Sequence, residues 1–192
     1  MKFYQIHVPK TGGSSLRAYA NRHKLNWRSD EHIFFSRRHI PRGSIVVTAL
    51  RCPVRHLISM YCYHGGQSHP EEGTPQWFAI HQPFSDWLRN PQGRLGEGDR
   101  LYTYVRFFGD GNFQTAVTNL KAVTHVLDTS YLTKQFNEKV VAKYNLPLFR
   151  VHHNKSPKPD NIHKIDPDDL HYIKQRRGED FELCKMFGIE TM

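Results

Sequence analysis

Two stretches of this chain repeat one pattern: an apolar run, a turn, then a helical stripe. Together they restrict the fold more than any other feature. Lys2 to Val8 is rich in apolar residues, β-branched at Ile6 and Val8, and stopped by Pro9, which predicts a strand. Gly12 and Gly13 supply a turn, and Ser14 or Ser15 can cap a helix whose apolar members Leu16, Tyr19 and Ala20 fall at i, i+3 and i+4. Further on, SIVVTAL (44–50) is a continuous apolar run, as expected of a strand covered on both faces. Pro53 then suits a first helical turn, and Val54, Leu57, Ile58, Tyr61 and Cys62 make the stripe that follows.

The remainder is consistent with the same plan. From His64 to Arg100 the composition shifts to glycine, proline and polar residues, with one short helical piece expected around PFSDWLR. Helices are expected over Asp99 to Phe108 and Asn112 to Leu120, a third strand over Val123 to Leu127, and a helix over Tyr131 to Tyr144. Leu146 to His152 reads as a strand or extended loop, and KSPKPDN as a linker. Asp166-Pro167-Asp168-Asp169 is a strong helix start, and a last amphipathic helix carrying Phe181, Leu183, Cys184 and Phe187 stops at Gly188. Strands separated by helices predict one three-layer α/β domain, residues 1–192, with a mainly parallel central sheet. Ligands of such sheets bind at the carboxyl ends of the strands, where both junctions lie.

At 38% hydrophobic and 23% charged residues, the composition excludes fibrous, disordered and membrane-spanning classes. The net charge of +9 favours a polyanionic or phosphorylated partner. The early sequence lacks a long apolar segment of signal-peptide type, so the expected location is cytoplasmic, without stable membrane insertion. Cys52, Cys62 and Cys184 include no C-x-x-C pair and are expected to be reduced thiols in the interior.

Lys10, Thr11, Gly12, Gly13, Ser14 and Ser15 form the first chemical cluster. Glycines let backbone N–H groups converge, the helix contributes its positive end, the hydroxyls add donors and Lys10 adds a full charge, a set suited to a phosphate. It is not a Walker A loop, which requires the lysine after the last glycine, so a magnesium nucleoside triphosphate is not implied. At the second junction, Arg51 ends the strand and Ser59 lies two turns into the helix, off its apolar stripe, so the pair can grip a second anion. No histidine pair with carboxylate support has the spacing of a metal site, and no metal is expected.

With these residues identified, HVPKTGGSSL resembles the 5′-phosphosulfate loop of sulfotransferases that use 3′-phosphoadenylyl sulfate (PAPS), and LRCPVRHLISMYCY resembles their 3′-phosphate-binding strand and helix. The likeness is to the carbohydrate branch that includes heparan sulfate and uronyl 2-O-sulfotransferases. RHIPRG (38–43) is similar to that branch's segment bearing a catalytic histidine, and VHHNKSP (151–157) to its later cofactor-closing loop. The resemblance implies a P-loop-like strand-turn-helix and a sulfuryl transfer from PAPS to a hydroxyl acceptor, possibly a saccharide or glycolipid. Lys10 to Ser15 would hold the phosphosulfate, Lys10 also serving catalysis. Arg51 and Ser59 would hold the 3′-phosphate, Asn154, Lys155 and Ser156 would close over the donor, and His39 would be the base. His7, His64, His152 and His153 are alternative bases. Cys52 stands where the family usually carries an acid, and Arg38 where it carries glycine. Two other readings compete: a P-loop phosphotransferase with an altered loop, and a basic nucleic-acid-binding protein. The basic residues cluster at junctions and are not interleaved with aromatics on a strand surface, so no nucleic acid is expected as partner. The segment from His64 to Arg100 is the expected acceptor-facing lid.

Overall fold

The structure is a computed structural model, which describes residues 1–31, 35, 39–66, 68–90, 103–150 and 165–191. Among the described residues there are four strands: β1 (Phe3–His7), β2 (Trp27–Glu31), β3 (Ile45–Leu50) and β4 (His125–Asp128). They form one parallel sheet in the order β2-β1-β3-β4. The described helices are α1 (Gly13–Arg22), α2 (Pro53–Gly65), α3 (Pro75–His81), α4 (Phe84–Arg89), α5 (Tyr104–Gly109) and α6 (Phe113–Lys121). The next, α7, runs through Leu132–Phe136, a π-helical turn at Asn137–Val141, and Ala142–Tyr144; α8 (Pro167–Arg176) and α9 (Gly178–Met186) follow.

Side-chain alternation along the strands creates two cores. Tyr4 and Ile6 of β1 with Val46 and Leu50 of β3 face α5, α6 and α9 through Val105, Phe107, Phe108, Val117, Leu120 and Leu183. Phe3, Val47, Ala49 and Leu127 point the other way, onto Leu16 and Tyr19 of α1 and Phe136, Val140 and Val141 of α7. Helices therefore cover both faces of the sheet, the α/β layering expected from the sequence. A satellite core joins α2, α3, α4 and α8 through Leu57, Met60, Ala79, Trp87, Leu88 and Ile173.

Several expectations are refined. β2 was not foreseen, because WRSDE has no apolar run. Among the described residues it is an edge strand, paired with β1 and anchored by Trp27, whose ring stacks on Phe3 at 5.3 Å and whose Nε1 donates to Gln5 Oε1 at 3.1 Å. Within the segment expected to be largely irregular, α3 forms as well as α4, started by the Thr74 hydroxyl, which accepts from Trp77 N–H, and by Pro75. Asp166 caps α8 by accepting from Asp168 N–H, as expected. Residues 146–150 are not a strand, and residues 91–102 and 151–164, including the expected linker, lie outside the described residues. All three cysteines are free and buried. Among the described residues no helix is long and apolar enough to cross a membrane.

This strand order places the two junctions side by side. From β1 the chain goes to β2 on one side, then reaches β3 on the other, so the connections diverge at the carboxyl ends of β1 and β3. That divergence is a topological switch point, the crevice where α/β sheets bind ligands.

Candidate functional site

The loop after β1 is organised by hydrogen bonds to its carbonyls. The Thr11 hydroxyl donates to Val8 O at 2.8 Å, His56 Nε2 donates to Pro9 O at 2.9 Å, and Arg51 Nη1 donates to Lys10 O at 3.2 Å. The Thr129 hydroxyl donates to Leu50 O at 2.7 Å, with Thr11 O 3.1 Å away, which joins the loop to the end of β3. In a trans peptide the N–H points opposite to the preceding C=O. Scaffold donors on Pro9, Lys10 and Thr11 carbonyls therefore turn the N–H groups of Lys10, Thr11 and Gly12 toward the other side of the loop. Two more N–H groups, of Gly13 and Ser14, begin α1, where no intrahelical acceptor exists for them. The result is a set of main-chain donors turned away from the scaffold beside a helix N-terminus, an arrangement suited to an anion.

Each glycine has its own reason. Gly12 is the residue before α1 and takes φ +84°, a left-handed conformation that costs a side-chain-bearing residue about 1–2 kcal/mol. A Cβ on Gly13 would lie 2.0 Å from the ring of buried His7, the last residue of β1. The Gln5 side chain fixes the same place, donating to Gly13 O at 3.0 Å.

Two cations flank these donors. Lys10 itself adopts φ +60°, and its Nζ lies 4.2 Å from the centroid of the Tyr63 ring at the end of α2. Burial, and then the charge of Arg51, lower the Lys10 pKa. Arg51 is likewise lowered, first by burial, with Arg55 acting in the same direction. The Arg51 backbone is held by buried Tyr104, whose hydroxyl lies 3.0 Å from Arg51 N–H and donates to Arg51 O at 2.7 Å. Crowding two cations at a partly desolvated sheet end disfavours their charged forms, and an anion between them would relieve this.

Two histidines of α2 complete the surroundings. Burial pushes His56 down to about 3, with Arg177 adding to the effect, so the ring is neutral and carries its proton on Nε2 for Pro9 O. His64 is buried beside Lys10, neither ring nitrogen having a hydrogen-bond partner among the described residues, and burial and then Lys10 push it down to about 4. Both rings are neutral at neutral pH.

The sequence-derived residues divide as follows. Lys10, Thr11, Gly12, Gly13, Ser14, Ser15 and Arg51 come together at the switch point. Thr11 has a different task from the one expected, because its hydroxyl hydrogen is committed to Val8 O and the residue is 1% exposed. The expected serine cap of α1 is also corrected: Gly12 precedes the helix, which has no side-chain cap, and Ser15 is buried in the first turn. Ser59 is half-buried on α2. His39 is exposed in the connection between β2 and β3, and none of the hydrogen bonds that hold the β1 loop comes from it. Asn154, Lys155 and Ser156 lie outside the described residues. Sequence reasoning missed Tyr63, His56, Tyr104 and Thr129 as parts of the site. Only Tyr63 carried a signal, as a tyrosine beyond the apolar stripe of α2.

Among the described residues no group of three histidine, cysteine or carboxylate side chains gathers to hold a metal. No family model matches this chain, and no curated protein or solved structure matches it either.

Proposed function

We propose that this chain is a PAPS-dependent sulfotransferase with a P-loop-like strand-turn-helix, acting on a hydroxyl acceptor of the saccharide class. The observation that carries the reading is the row of N–H groups at Lys10 to Ser14, set by carbonyl-directed side chains and flanked by Lys10 and Arg51. That donor set suits an anion with several oxygens, and it fits the two anionic ends of the donor: the loop faces one, and Arg51 with Ser59 serves the other.

When bound, PAPS supplies a sulfuryl group on a phosphate that departs readily. The protein's own contributions follow from its residues. The loop N–H groups orient the donor and Lys10 holds positive charge where negative charge builds up on the departing oxygen. A fixed set of donors needs little reorganisation at that moment. By the resemblance, His39 takes the proton of the acceptor hydroxyl, a task suited to an imidazole at neutral pH.

Thermal denaturation with adenosine 3′,5′-bisphosphate in the presence of EDTA tests the reading. A ligand at about 100 times its Kd stabilises by about 2.7 kcal/mol, so the melting temperature should rise without magnesium. Stabilisation by ATP only with magnesium would favour phosphoryl transfer. No rise with either nucleotide would refute the proposal.

A further inference from the structure

Lys10 is a long side chain in an awkward setting. Its backbone is left-handed, its ammonium is partly desolvated, and the charge of Arg51 repels it. A long lysine side chain has rotamer entropy to lose when fixed. The ammonium lies 4.2 Å from the centre of the Tyr63 ring. Tyr63 belongs to the last turn of α2 and is 45% exposed, one of the few large hydrophobic side chains that are. Its neighbours on the helix are Cys62 and His64; the latter is buried and neutral, so it adds no competing charge. An aromatic face so placed attracts a cation through its quadrupole.

We propose that Tyr63 is the positioning residue for Lys10: its ring keeps the ammonium charged and waiting at the mouth of the loop until an anion draws it in. This deepens the reading of the loop as an anion cradle and rests on it, and it assigns Tyr63 no contact with the donor. The ring replaces part of the hydration that Lys10 loses on burial.

The test measures Lys10 in the free protein. Tyr63→Phe keeps the ring, whereas Tyr63→Leu and Tyr63→Gln remove it by two different routes, so one poorly folded variant does not end the experiment. Each protein is labelled at low conversion with acetic anhydride, and Lys10 acetylation is read by peptide mass spectrometry against exposed Lys121 as internal reference. Loss of a cation–π contact at an exposed site corresponds to about a two- to five-fold rise in the relative labelling rate of Lys10. That rise is expected in Tyr63→Leu and Tyr63→Gln, with Tyr63→Phe labelling like the wild type. A Leu or Gln variant labelling at the wild-type rate would overturn the proposal. So would a Phe variant labelling as fast as they do. Adenosine 3′,5′-bisphosphate is absent throughout, so a failure here is distinct from failure of the protein to bind that nucleotide.

Discussion

Replacing Thr11 by valine separates two jobs that a loop hydroxyl can do. On the proposed function this position would serve the donor; in the fold, its hydroxyl closes the loop on Val8 O at 2.8 Å inside a residue that is 1% exposed. Valine has nearly the same shape, so no cavity forms and the change reduces to one lost hydrogen bond. The buried Val8 carbonyl is left without its donor, a loss of about 1–3 kcal/mol. For a chain of this size each kcal/mol shifts the melting temperature by about 2–4 °C, so Thr11→Val should melt roughly 2–12 °C lower with no nucleotide present. Thr11→Ser keeps the hydroxyl and should lose much less. Circular dichroism melts of the three proteins decide the matter. If Thr11→Val melted with the wild type and lost only nucleotide affinity, the hydroxyl would belong to the anion and the loop-closing argument would be wrong.

Three further outcomes are expected. Gly13→Ala places a methyl in the His7 ring and should cost about 3 kcal/mol or more by overpacking, with partial recovery when His7 is also shortened to alanine; a wild-type urea curve for the single variant would disprove the contact. In acid, unfolded histidines bind protons near pH 6.5, whereas native His64 and His56 resist until about 4 and about 3. Stability should therefore fall as pH drops from 6.5 toward 3, with a slope of up to about 1.4 kcal/mol per pH unit for each ring. Urea midpoints should show a shallower slope for His56→Gln, which keeps a donor for Pro9 O, and equal slopes would contradict the assignment. His39→Ala should bind adenosine 3′,5′-bisphosphate as the wild type does but lose most turnover; full activity would move the base elsewhere.

The parts of the fold legible in the sequence were those with an internal period. The apolar stripe of α2, the run in β3 and the proline that opens α2 announced themselves, as did the Asp166 start of α8. β2 was hidden because an edge strand needs little apolar surface, and Trp27 alone supplies the anchor. The glycines marked the turn before α1, and Arg51 was legible at the end of β3. What sequence spacing does not contain is the use of each polar atom. The Thr11 hydroxyl serves the Val8 carbonyl, no serine caps α1, and His56 gave no sign that it would donate to Pro9 O, because its partner is a main-chain atom many residues away. Tertiary hydrogen bonds of that sort have no periodicity to read.

The carbonyl-directed donors of the β1 loop also say something about when the loop comes into existence. Thr11 is local, but His56 belongs to α2, Arg51 to the end of β3 and Thr129 to the chain beyond β4. A peptide spanning β1 and α1 would hold the glycines and the lysine and still lack all three contacts that aim the amides. Closing those separations costs loop entropy that only the assembled sheet repays. The cradle is thus a late product of folding and an early casualty of partial unfolding. Loss of anion affinity should report fraying of β3 or β4 before helix content changes.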